Sequence, residues 1–227
     1  MKSVLSNSFS LYNKEFSKIM ILSIIIYVPL LLLHALIVNY IYEISRFSQY
    51  PGVAGDLANS VIMLVFLTLA QVPFIKFALL EDEDEENLLR NSLSFTMDRI
   101  ISLYIYSCLF GILVNIGSLL FIIPGLLILL FLYFVPFFIA ENGRGYKRAI
   151  HKSIQFIKKN FWKALLLILL LTFVQLLFEN ILIFALQMYT ATYFTILIAK
   201  IILLLFILPL QTIILTNLFM KWKESDS

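Results

Sequence analysis

Glu179 and Lys200 are the two side chains of this sequence best placed to do chemistry, because each is an ionisable group set inside a long apolar run. A charge at that depth costs about 2.5–3.5 kcal/mol even on the lenient insertion scales, so it must be partnered or hydrated. The two stand at nearly equal distances from the turn QMYTAT that joins their runs. On an antiparallel hairpin they share a depth, and an ion pair is expected between them. Three polar residues inside apolar runs join them as candidates: His34, Asn115 and Gln175. His34 and Glu179 each follow a serine, Ser8 and Ser153, by 26 residues, and Ser118 holds that place after Ser92. Asn115 and Gln175 lie about one turn nearer the cytoplasmic end. Two kinds of chemistry fit this set. The residues can glue helices together through a paired charge and hydrogen bonds, or they can line a pathway or ligand cavity as an intramembrane polar site.

Signals for catalysis are thin. His34 and His151 fall on opposite sides of the expected topology and cannot share a metal. The sequence has no glycine-rich phosphate loop, serine elbow or metalloprotease helix, so the chain reads as non-enzymatic, with no cofactor implied. An intramembrane lipid enzyme is a remote third class. Six consecutive acids, Glu81 to Glu86, splay around a helix rather than converge on a cation; they read as a solvated cap opening a surface helix, or as a counterpart to the basic stretch described below. The short Gly143-Arg144-Gly145 segment reads as a turn, and Cys108 as an inert thiol in an apolar run.

The elements that must position these residues follow from composition. Of 227 residues 61% are hydrophobic and 14% charged, with a mean hydropathy of +0.96, which excludes a water-soluble globule. A net charge of +3 does not point to nucleic acid. Crossing about 30 Å of hydrocarbon takes roughly 20 apolar residues, and six stretches approach that length: Ile19 to Ile44, Leu57 to Leu80, Ile100 to Ile123, Gly125 to Ala140, Phe161 to Gln187 and Thr192 to Met220. Pro124-Gly125 is expected to break the third from the fourth in a tight hairpin. Pro29, Pro73, Pro136 and Pro209 are expected to kink four spans. Lys and Arg gather beside the spans on one side: Lys2, Lys14 and Lys18, then Arg90 and Arg99, then seven between Arg144 and Lys163, then Lys221 and Lys223. By the positive-inside rule both termini lie in the cytoplasm. Lys76, one turn inside its span, reads as snorkelling to the surface.

A threefold internal repeat is legible. Ser8 in SFSLYNKEFSK, Ser92 in SLSFTMDRIIS and Ser153 in SIQFIKKNFWK open the same pattern, with an apolar residue eight places on at Phe16, Ile100 and Phe161. Val72-Pro73-Phe74 and Val135-Pro136-Phe137 recur later in their units, with a looser Leu208-Pro209-Leu210. The expected fold is therefore all-α: a polytopic membrane protein whose residues 1–227 form one membrane domain of six transmembrane helices. Its three pseudo-repeats, about 4–80, 88–140 and 146–220, are each preceded by an interfacial amphipathic helix. In the third such helix Ile150, Ile154, Ile157 and Phe161 form an apolar stripe opposite Lys147, Arg148, Lys152, Gln155, Lys158 and Lys159. Laid in the headgroup layer, its cations would each gain about 1 kcal/mol near anionic lipid of the inner leaflet. The plainer reading of the same helix is the positive-inside signal itself.

The run from Ile123 to Leu166 resembles a region of the membrane domain attached to some bacterial glycerophosphodiester phosphodiesterases, and of related stand-alone membrane families. The resemblance rests on Pro124 and Gly125, an apolar span with internal Pro136, Glu141 at its end, Ser153 in a basic stretch, and Trp162 opening the next span. It implies a fold family and not a reaction, since the phosphodiesterase barrel needs about 250 residues of its own.

The expected function is that of a scaffold, accessory or resistance component of the cell membrane. It engages lipids, a partner membrane protein or an ABC transporter component through Lys147, Arg148, Lys152, Lys158 and Lys159. The competing expectation is a small transporter or permease subunit built around His34, Asn115, Gln175, Glu179 and Lys200.

Overall fold

The computed structural model describes residues 2–47, 50, 52–143, 145–189 and 192–226. Among the described residues the elements are all helices: α1 Lys2–Lys14, α2 Phe16–Ser45, α3 Val53–Asp82, α4 Leu88–Met97, α5 Ile100–Leu120, α6 Ile122–Tyr133, α7 Val135–Asn142, α8 Tyr146–Gln187 and α9 Tyr193–Asp226. Six helical stretches are long and apolar enough to cross a membrane: Phe16–Ser45, Val53–Asp82, Ile100–Leu120, Ile122–Glu141, Tyr146–Gln187 and Tyr193–Glu224. They coincide with the six apolar runs to within a few residues, except that the fifth extends back through the basic stretch.

Three helix breaks separate polar helices from apolar ones. They fall at Glu15 between α1 and α2, at Asp98-Arg99 between α4 and α5, and at Asn160 inside α8. Each comes seven residues after one of the three serines, and Ser8, Ser92 and Ser153 are all fully buried. Arg99 (φ −118°, ψ 6°) and Asn160 (φ −114°, ψ 22°) adopt nearly the same non-helical conformation. Further in, the pattern continues: Ile19, Leu103 and Ala164, each eleven residues after its serine, have no exposed surface.

The chain divides into two compact units, Met1–Val28 with Asn160–Ser227, and Pro29–Lys159. In the first, α1 packs on α9. The Tyr12 hydroxyl donates to the Phe206 carbonyl at 3.2 Å and Phe16 stacks on Phe206 with centroids 6.3 Å apart. Burial pushes the Tyr12 phenol up to about 12, so it remains a donor at any physiological pH.

In the second unit α3 is the central element, packed against α4, α5 and α7. Its Phe74, Ile75 and Phe77 are fully buried, as are Leu103, Leu130, Phe134, Phe137 and Ile157. The first part of α8 packs through Phe156, whose ring lies 5.1 Å from that of Phe134 and 5.9 Å from that of Phe138.

Local chemistry moves several expected features. The third and fourth spans part at Phe121, which is extended (φ −161°, ψ 152°), and not at Pro124-Gly125. Pro124 sits in the first turn of α6, where a missing N–H costs nothing. Gly125 is instead the point of closest approach in the hairpin: a Cβ there would overlap the Ser118 hydroxyl and stand 2.7 Å from the Ser118 nitrogen. Of the four internal prolines, Pro29, Pro73 and Pro209 lie within unbroken helices, while Pro136 follows a true interruption at Phe134 (φ −87°, ψ 3°). Pro136 has no N–H to return to the carbonyl of Leu132, which accepts the Tyr106 hydroxyl at 2.7 Å. The adjacent Phe131 carbonyl accepts Ser153 Oγ at 2.6 Å.

The acidic run does not open α4. Glu81 and Asp82 end α3, the rest form an exposed turn containing Asp84 at φ 52°, and Asn87 at φ 60° precedes α4. Gly143 and Gly145 both have positive φ, as a turn there requires; Arg144 lies outside the described residues, as do Thr190 and Ala191 of the QMYTAT turn.

Candidate functional site

The α8–α9 hairpin carries the charged pair. Lys200 Nζ lies 2.8 Å from Glu179 Oε2, and Gln175 Nε2, one turn before Glu179, donates to its Oε1 at 2.8 Å. Both carboxylate oxygens are therefore engaged. The Glu179 side chain is 9% exposed and that of Lys200 41%. This is the ion pair expected from the equal spacing about the turn.

Two more polar bridges run along α9, and neither was anticipated from the sequence. Gln211 Nε2 donates to the Leu171 carbonyl on α8 at 2.9 Å, and Asn217 Nδ2 donates to Ser8 Oγ on α1 at 2.8 Å. Their signal was present as two amides within the last apolar run. Thr212 and Thr216, between them, turn their hydroxyls back to carbonyls four residues earlier, the usual way to hide a hydroxyl in hydrocarbon.

The other two members of the expected polar set belong to the second unit. Asn115 is buried and donates Nδ2 to the Gly111 carbonyl of its own helix at 2.9 Å. His34 sits edge-on to Phe66, centroids 6.4 Å apart. Ser118 donates to the Val114 carbonyl at 2.9 Å. Gln175, Glu179 and Lys200 thus form one hydrogen-bonded group, while Asn115 and Ser118 are satisfied locally. Among the described residues no three His, Cys, Asp or Glu side chains are grouped to hold a metal.

On the basic stretch, Lys147, Arg148, Lys158 and Lys159 are exposed. Lys152 is half-buried, its Nζ 5.9 Å from the centroid of the Phe138 ring. The buried face comprises Ala149, Ser153, Phe156 and Ile157, whereas Ile150, Ile154 and Phe161 are half-exposed. The expected apolar stripe is therefore rotated: of its members only Ile157 packs inward, together with Ala149, Ser153 and Phe156, while Ile150, Ile154 and Phe161 are partly exposed. Of the positions that carried the resemblance, Gly125, Pro136 and Ser153 are buried, Pro124 and Glu141 are half-buried, and Trp162 is 70% exposed.

A family model described as a domain of unknown function, DUF7847, matches residues 91–220, more than half of the chain. The chain belongs to the DUF7847 family. The DUF7847 region begins inside α4 and ends inside α9, so it includes Asn115, Gln175, Glu179, Lys200 and the basic stretch, and leaves out His34. Comparison with curated proteins and with solved structures gives no match.

Proposed function

We propose that this protein is a non-enzymatic, multi-pass component of the cell membrane, a scaffold, accessory or resistance factor with both termini in the cytoplasm. It engages anionic lipid or a partner membrane protein, such as an ABC transporter component, through its basic face. The observation that carries this reading is the division of α8. Lys147, Arg148, Lys158 and Lys159 face outward while Ala149, Ser153, Phe156 and Ile157 are buried, which leaves a row of cations at the head of an apolar helix. The full occupancy of the Glu179 carboxylate supports a cohesive role for the polar hairpin over a transport role.

The threefold repeat belongs to the same proposal. Its support is the breaks seven residues after buried Ser8, Ser92 and Ser153, and a shared packing rule. α4 lies on α3, the start of α8 on α6 and α7, and α1 on α9, so each polar helix packs on the second span of the preceding copy, counting the third as preceding the first. The resemblance of Ile123 to Leu166 to the phosphodiesterase-linked membrane domain is compatible with this architecture and carries no reaction with it.

The test is lipid retention. Purified protein should keep anionic over zwitterionic phospholipid through detergent, read by native mass spectrometry. Replacing Lys147, Arg148, Lys158 and Lys159 together by Gln should abolish that preference, at about 1 kcal/mol per cation in low salt. Unchanged retention would end the proposal. A transporter or permease subunit is the second reading, favoured by the partial exposure of Lys200 within a span. It requires Glu179→Gln to abolish transport while folding and membrane level are kept.

A further inference from the structure

Away from the exposed basic face, two other cations meet inside the Pro29–Lys159 unit. Lys76 Nζ lies 5.4 Å and the Arg99 guanidinium carbon 4.1 Å from the centroid of one ring, Phe95. The two charges are therefore no more than about 9.5 Å apart, within roughly one Debye length at physiological salt. Both side chains are half-buried, which weakens screening further. Among the described residues neither cation has a carboxylate within ion-pair distance.

The elements force this meeting. Lys76 is one to two turns from the end of α3, Phe95 is on α4 packed against it, and Arg99 is the non-helical residue that joins α4 to α5. The Lys76 ammonium lies over the Phe95 ring beside a second cation. Cation–π attraction accounts for one cation at an aromatic face and does not remove the repulsion between two.

Two further observations point to what belongs there. The Tyr146 hydroxyl is shielded from solvent and stands beside Arg99 and Ser102. Gly143, with φ 62°, leaves room at the guanidinium: a Cβ at that position would stand 3.2 Å from Arg99 Nη2. Two cations and a hydroxyl donor are the complement of a compact dianion or monoanion with several acceptor oxygens.

We propose that Lys76 and Arg99, with the Tyr146 hydroxyl as an added donor, bind a phosphate group against Phe95. This deepens the lipid-engaging reading and rests on it, since a phospholipid headgroup is the membrane's own source of phosphate; free inorganic phosphate carries the same chemistry. Arg99 presents a planar fork to two phosphate oxygens, and Lys76 supplies a point charge.

Thermal unfolding of the full-length protein in detergent tests this, with two probes: short-chain dioctanoyl phosphatidylglycerol and inorganic phosphate. One of them should raise the unfolding temperature saturably. Its apparent affinity should fall at least tenfold in Lys76→Met and in Arg99→Gln, and by a smaller factor in Arg99→Lys, which keeps charge without the fork. Tyr146→Phe removes only the hydroxyl and should weaken binding severalfold, which covers the case in which a charge variant fails to fold. The variant with Gln at 147, 148, 158 and 159 should bind the probe as the parent does. A saturable shift from inorganic phosphate alone assigns the site to free phosphate; a shift from the lipid and not from phosphate assigns it to a headgroup. The proposal is overturned if neither probe shifts the parent, or if the shift survives in Lys76→Met, Arg99→Gln and Tyr146→Phe. If it survives there and is lost only in the four-Gln variant, the exposed face alone engages lipid, and the broader reading stands without this site.

Discussion

Replacing Lys200 by Met would strip Glu179 of one of its two partners and leave a carboxylate that is 9% exposed with the Gln175 amide alone. Removing one side of a fully buried ion pair costs about 3–5 kcal/mol. Lys200 is 41% exposed, and side-chain couplings between membrane helices average only about 0.6 kcal/mol with a maximum near 1.7. These facts pull the expected cost down to about 2–3 kcal/mol for Lys200→Met. Glu179→Gln should cost a similar amount, since it leaves an ammonium in an apolar run. The double variant removes both ions, each of which costs about 2.5–3.5 kcal/mol to place in hydrocarbon, so it should cost no more than either single variant. The assay is a double-mutant cycle by reversible denaturation in mixed micelles, with a coupling of about 2–3 kcal/mol expected. Single effects that simply add, or a double variant less stable than either single, would refute the reasoning and show that the pair does not hold the hairpin.

Gly125→Ala should destabilise the protein by about 1–3 kcal/mol or more in the same assay, because its methyl meets the Ser118 hydroxyl and backbone across the α5–α6 hairpin. Ser153→Ala should cost about 1–3 kcal/mol by leaving the half-buried Phe131 carbonyl without its donor. Tyr106→Phe should act likewise at Leu132, and the two should be less than additive if both stabilise the one interruption before Pro136. Asn217→Leu should loosen α1 from α9, seen as faster hydrogen exchange confined to α1 backbone amides around Ser8, and unchanged exchange there would remove that role.

The coarse architecture was legible because the apolar runs are long and nearly free of charge, so length alone places six helices. The Glu179–Lys200 pair was legible for a related reason: an antiparallel hairpin converts equal distance from a turn into equal depth. Helix ends were less so. The Pro124-Gly125 dipeptide looks like a break, yet proline is tolerated in a first turn and glycine serves close packing, so the interruption moved to Phe121. The basic helix showed its cations plainly, but which apolar residues face inward depended on Phe134 and Phe138, which come from distant sequence. For the same reason the meeting of Lys76 and Arg99 at Phe95 could not be read, since Lys76 comes from α3 while Phe95 and Arg99 lie on α4 and at the joint that follows it.

The orientation of the basic segments underlies every functional statement above, and cysteine labelling measures it directly. Cys108 is the single native cysteine, so a Cys108→Ser background can carry one new cysteine at a time, at Lys158 or at Phe47, which is 91% exposed at the α2–α3 turn. A membrane-impermeant maleimide added to intact cells should label Phe47→Cys and leave Lys158→Cys unlabelled until the membrane is permeabilised. Labelling of Lys158→Cys from outside would contradict the account.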